Sequence, residues 1–356
     1  MHGDAVDTMG IDGVWFDPLW RVEVQLTPLE RRLLETWPVR RLAFIAHAGA
    51  ASITTTQSYS RLEHSLGVLA LVAHFAPDDH LARATALLHD VGHLPFSHSL
   101  EGLGGLEHHG LGRRAIRSLA AEVDGDDGVD PLDALDAFDG EAVIALDEGA
   151  EPSVLTPRAG GLKLDHLDSF LRSGQAHGRT TTPPHELLRR LRLVDGTVDA
   201  DADDALELAD LAVREALAQR SAANLVPVTV LRDLVARLLG DGALSSGELT
   251  GMTDDTLWGR LLTEPATAAD AELLRRRPQA WRMVPSAGAP GRAAAGGAAA
   301  GGAAAGGAVA GAAALRHVVR RSYLDLPTID GRPMRDERVA DLGRALPIDV
   351  VVERAG

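Results

Sequence analysis

The chain has 356 residues, 45% of them hydrophobic and 24% charged, which is long enough to bury a full core, and its wealth of alanine with only 4% aromatic residues predicts a mainly helical globular protein. A formal net charge of −16 excludes a general nucleic-acid-binding surface, whereas a small anionic substrate remains compatible with it, because a metal and a few arginines can make a local positive field. There is no cysteine, which excludes disulfides and thiolate chemistry, and no apolar run approaches the roughly 20 residues of a membrane span, so any metal must use histidine and carboxylate and the expected location is the cytoplasm.

Residues 1–26 read as an irregular arm. Thr27-Pro28-Leu29-Glu30 then supplies an N-cap, a proline at the first helical position and a capping glutamate, predicting a helix to about Glu35. Ser60-Arg61-Leu62-Glu63 is a second capping box, and Leu62, Leu66, Leu69 and Ala73 recur at helical spacing behind it, which puts His64 in a first turn. From Asp79 to Val91 the pattern is helical again, and Gly92 with Pro95 ends it, so His89 and Asp90 fall near a helix C-terminus. Further helices are expected over 107–122, 131–147, 162–173, 203–219, 228–239 and 254–262, with a short hairpin at Asp195-Gly196. The alanine-glycine run of 284–314 reads as a flexible linker between residues 1–283 and a small α+β C-terminal element, 315–356.

Nine of the fourteen histidines lie between His47 and His109. His89 and Asp90 offer a divalent ion one imidazole and one carboxylate from a single turn, and His64 with a later carboxylate would complete a cage. Taken alone, a His-Asp pair at a helix C-terminus is as well explained by the helix dipole. The neighbouring His93, His98 and His108 favour a metal centre.

The strings RLEHSLGV (61–68) and HDVGHLPFSH (89–98) resemble the HD superfamily of metal-dependent phosphohydrolases. Within it they resemble the deoxynucleoside triphosphate triphosphohydrolase branch, which includes dGTPase-like enzymes and the SAM-and-HD-domain dNTPase. Asp17-Pro18 and Arg41-Leu42 match as well, and DHLDSFLRS (165–173) matches a later string in part. The resemblance implies a helical HD-domain bundle. It makes His64, His89, Asp90 and Asp165 the ligands of a divalent metal, of which Mn, Mg, Fe, Co, Ni and Zn are all compatible. It places His93, His98 and His108 on the phosphate side as acid or base, with Glu101 orienting His98. Arg61 would contact phosphate, and Asp168 and Arg172 occupy matching positions. Homo-oligomers are common among such proteins.

Departures bear on substrate more than on reaction. Ser169 and Ser173 stand where the family has a tyrosine and an aspartate, His166 replaces a phosphate-binding lysine, and His47 falls near a sugar-reading glutamine. The substrate site is therefore expected around Arg61, His47, His166, Ser169 and Arg172, and its ligand is a small nucleotide-like anion, with a nucleoside monophosphate or another phosphate ester a serious candidate beside a triphosphate. Two other classes stay open, namely a di-iron oxygenase of HD type and a catalytically silent nucleotide-binding protein.

Overall fold

The computed structural model describes residues 13–55, 59–124, 138–150, 152–157, 161–285 and 314–355. The fold is mainly helical, as the composition requires. The arm is not irregular from residue 13 onward: β1 (Val14–Asp17) and β2 (Val22–Gln25) form an antiparallel hairpin. Asp17 closes its turn, Oδ1 accepting from the N–H groups of Leu19 and Trp20 at 2.8 Å each, a local bond that sequence periodicity does not report.

Helices α1 (Pro28–Glu35), α2 (Trp37–Arg40), α3 (Arg61–Phe75), α4 (His80–Leu88), α5 (His108–Asp124), α6 (Gly140–Asp147) and α7 (Leu164–Ala176) build the first half. Both expected capping boxes are formed, Thr27 with Glu30 and Ser60 with Glu63. Helix α3 is buried nearly all round and not on one stripe, because α4 and α7 pack on different sides of it. Gly67 allows the α7 contact: a Cβ there would lie 2.1 Å from Asp168 Oδ1 and 2.2 Å from Arg172 Nη2. Gly92 has the same use at the start of α5, where a Cβ would lie 2.0 Å from the His108 carbonyl oxygen.

The second half contains α8 (Pro184–Leu188), α9 (Ala202–Gln219), α10 (Ala222–Gly240), α11 (Ser246–Gly251), α12 (Asp254–Thr263) and α13 (Ala268–Arg276), with α14 (Glu337–Arg344) near the C-terminus. The hairpin at Asp195-Gly196 is present as β3 (Arg192–Val194) and β4 (Thr197–Asp199), with both turn residues at positive φ. Two short strands, β7 (Thr328–Ile329) and β8 (Arg332–Pro333), extend that sheet. Strand β9 (Ile348–Arg354) lies between β5 (Trp281–Val284) and β6 (Leu315–Val319), so the C-terminal strands complete a sheet begun before the alanine-glycine run. That run, from 286 to 313, lies outside the described residues, as do 131–137 of the helix expected over 131–147.

Two apolar cores result. One gathers Leu62, Leu66, Leu69, Leu87, Leu88, Val91, Leu167 and Leu171; the other gathers Leu94, Phe96 and Leu100 with the buried faces of α10, α12 and β9. The segment from Leu88 to Leu100 crosses from the first to the second, and its histidines sit at the seam. No described helix is long and apolar enough to cross a membrane.

Candidate metal centre and histidine cluster

Three elements bring the expected ligands together. His64 comes from the first turn of α3, His89 caps α4 with Asp90 beside it, and Asp165 lies in the first turn of α7. His64 Nε2 is 3.4 Å from His89 Nε2, 3.1 Å from Asp165 Oδ1 and 3.8 Å from Asp90 Oδ2. His89 Nε2 is 3.5 Å from Asp90 Oδ1 and 3.9 Å from Asp165 Oδ1.

The far side of each ring tells which nitrogen faces the centre with a lone pair. His64 Nδ1 donates to Asp168 Oδ2 at 2.8 Å, and His89 Nδ1 donates to the Ala86 carbonyl at 2.9 Å. Both Nε2 lone pairs therefore face the Asp90 carboxylate, the three ligand atoms lying within 4.8 Å of one another, and Asp165 stands within 4 Å of both imidazoles. Ligands about 2.0–2.2 Å from a metal stand about 3–4 Å from one another, which is the spacing found among His64, His89 and Asp90 and from each imidazole to Asp165. The residues present thus fit a divalent metal.

The supports are charged and buried. Burial would raise the Asp90 carboxyl, but Arg61 first, then His89 and His93, hold it well below the usual carboxylate range. Arg61 Nη1 donates to Asp90 at 2.8 Å and its Nε donates to Ser97. Burial would likewise raise Asp165, and Lys163, the one lysine of the chain, holds it well below with its Nζ at 2.6 Å. Burial would lower His64, yet its hydrogen bonds to Asp165 and Asp168 raise it to about 9. Asp168 is fully buried, accepting also from Trp20 Nε1 at 2.7 Å and from Arg172, whose guanidinium reaches Asp17 at 2.9 Å.

Beside this centre His93, His98 and His108 bring one ring nitrogen each within 4.8 Å of the others. The turn that carries His98 is strained, with Phe96 at φ 56° and Ser97 at φ 54°. It is held by Asp254, which accepts from the N–H groups of Phe96 and Ala46, and by Ser97, which donates to the Ala46 carbonyl at 2.6 Å. Burial lowers His93 to about 3, and burial together with His93 and Arg61 lowers His98 well below its ordinary value, so both rings are neutral near pH 7.

Several expected roles move. Glu101 orients His108 and not His98: its two oxygens accept from the His108 N–H at 3.0 Å and from Nδ1 at 2.9 Å, because His108 opens α5 directly opposite it. The guanidiniums of Arg61 and Arg172 are paired with Asp90 and Asp168 inside the protein. His47 stacks on Tyr59 with ring centroids 4.8 Å apart and lies 4.5 Å from His64; burial first, then Arg61, keeps it neutral. His166 pairs with Asp325, and Ser169 follows it on the same face of α7. Ser173 donates to Glu215 at 2.6 Å, so a carboxylate from α9 stands near the lost aspartate. Sequence reading missed Lys163, Trp20, Asp254 and Tyr323 as parts of the site. Lys163, two residues before Asp165, carried a signal as the single lysine; Tyr323 is 225 positions from His98 and carried none.

Residues 61–134 match the HD domain family model. A deoxyguanosinetriphosphate triphosphohydrolase-like protein of Brucella ovis is 34% identical over 122 residues, covering 28% of this chain and 29% of that protein. An uncharacterised protein of Methanocaldococcus jannaschii is 33% identical over 102 residues, covering 27% of this chain and 22% of that one. The chain thus spans about a quarter of the length of the curated relatives it matches. Among solved structures, a phosphohydrolase from Bacteroides thetaiotaomicron superposes with a TM-score of 0.56 at 16% identity, over 76% of this chain and 78% of that one, a likeness of fold. The match to the HD domain family thus runs from capped α3 through the seam of the two cores, residues 61–134.

Proposed function

We propose that the protein is a metal-dependent phosphohydrolase acting on a nucleotide or deoxynucleotide. The observation that carries this reading is the convergence of His64 Nε2, His89 Nε2, Asp90 and Asp165 with each donor fixed from behind. His64, His89, Asp90 and Asp165 would hold a divalent ion, which would supply Lewis acidity toward water and phosphoryl oxygen. The chain's own residues do the rest. Asp168 and the Ala86 carbonyl hold the two imidazole rings in the ligating tautomer, while Arg61 and Lys163 keep both carboxylates ionised. His98 and His108 face the same space from the second core, His108 with Nδ1 tied to Glu101 and Nε2 free to exchange a proton with a leaving oxygen. His47, neutral and stacked on Tyr59, can exchange a hydrogen bond with a substrate hydroxyl.

The nucleotide part of the reading draws on the Brucella relative's description, which covers only part of that protein. The test is a panel of nucleoside mono-, di- and triphosphates with Mn, Mg, Fe, Co and Ni, products being identified by mass. Hydrolysis is expected for at least one member and is lost with His89→Ala plus Asp90→Ala. Equal rates for that double variant and the unaltered protein would sink the reading.

The second triad of histidines favours one other reading, a two-iron oxygenase. Two tightly held irons per chain and oxygen uptake would select it over hydrolysis.

A further inference from the structure

The residues that follow the alanine-glycine run do more than complete a sheet. Between β6 and β7 the chain runs beside His98 and His166, and it is tied down on both sides of Tyr323. Arg220 donates to Ser322 Oγ at 3.0 Å, the Leu162 N–H donates to the Leu326 carbonyl at 2.8 Å, and Thr328 Oγ1 donates to Asp199 at 2.8 Å. Asp325 closes on His166 Nδ1, next to the ligand Asp165. Tyr323 stands between the two halves of the site. Its ring is 4.9 Å from the His166 ring on α7 and 5.7 Å from the His98 ring on the other core, and its hydroxyl is 3.2 Å from His98 Nε2.

We propose that Tyr323 is a positioning residue of this active site, acting through His98, a step that rests on the phosphohydrolase reading above. A phenol is a better donor than a neutral imidazole N–H. The Tyr323 O–H therefore donates to the His98 Nε2 lone pair and places the ring proton on Nδ1, fixing tautomer and ring plane together. The left-handed Phe96-Ser97 turn fixes the backbone beneath His98, and Tyr323 fixes the ring above it. The same phenol ring stands against the His166 side of α7, where Ser169 offers no aromatic surface of its own. A segment far along the chain thereby sets a phenol between His98 and His166.

The test is Tyr323→Phe in the full chain, which keeps the ring and removes the hydroxyl. Two readouts are taken: steady-state kinetics with dGTP and Mn as the probe, and ¹⁵N shifts of the histidine ring nitrogens in metal-free protein, with His98 assigned by His98→Asn. The expected result is a kcat lower by about 10-fold with KM changed less than about twofold, as for loss of an orienting partner, and a clear shift of the His98 ring nitrogens. Unmoved His98 nitrogens overturn the proposal whatever the rates, and so does an unchanged kcat in an active enzyme. If the unaltered protein hydrolyses none of the panel, the phosphohydrolase reading fails, and the His98 shifts still decide whether Tyr323 sets that ring.

Discussion

His64 is the residue on which the chemistry of the centre turns. Its Nδ1 is committed to Asp168, and its Nε2 faces Asp165 and His89, so whatever occupies the centre competes for one lone pair. In metal-free protein that competitor is a proton, since the hydrogen bonds His64 donates to the Asp165 and Asp168 carboxylates outweigh burial and raise it to about 9. The sign follows: a histidine raised in the folded state contributes stability that is complete below the unfolded value of 6.5 and disappears as pH rises through about 9. Loading a metal must displace this proton. Calorimetric titration of metal-free protein with Mn in two buffers of different ionisation enthalpy is expected to show release of about one proton per ion from His64 at pH 7.5, fading above pH 9. A heat independent of buffer at pH 7.5 would remove His64 from the ligand set.

At the scale of the element, the centre depends on how the 88–100 segment is held between two cores. Asp254, at the start of α12, accepts from Ala46 before His47 and from Phe96 before His98, so one carboxylate tethers both histidine-bearing loops. Asp254→Ala leaves two N–H groups without their acceptor and is expected to destabilise the protein by about 2–4 kcal/mol. Urea unfolding measures this; a change below about 0.5 kcal/mol would show that the tether is not needed. How much of this could be read in advance depended on whether the cause was local. The capping boxes at Thr27 and Ser60 and the Asp195-Gly196 hairpin were legible because each is settled by neighbours within four residues, while α4 ends at Leu88, three residues short of the expected Val91. His64, His89 and Asp90 were legible for the same reason, lying at ends of helices whose limits the sequence marks. The Glu101 partner, the Asp254 tether and Tyr323 were not, because each depends on where a distant element lands. Glycines at 67 and 92 stand in the matched strings for a reason only packing shows, the close approach of α7 and α5.

At the scale of the whole molecule, β9 joins β5, before the alanine-glycine run, to β6, after it, and buries Val350, Val351 and Val352. Tyr323 and Asp325 reach across to His98 and His166. The two ends of the chain's described part are thus expected to unfold together, giving a single calorimetric transition, and truncation after Leu346 is expected to lower its midpoint; two separate transitions would mark an autonomous C-terminal unit. In a chain of net charge −16, Arg61, Lys163 and Arg172 are paired with the carboxylates around the centre. What all of this supports is a cage of four donors, and the most direct test is metal content by mass spectrometry of protein purified without chelator. The account predicts about one divalent ion per chain in the unaltered protein and its loss in His64→Ala, His89→Ala, Asp90→Ala and Asp165→Ala alike. Full retention of the ion by any two of these variants would contradict it.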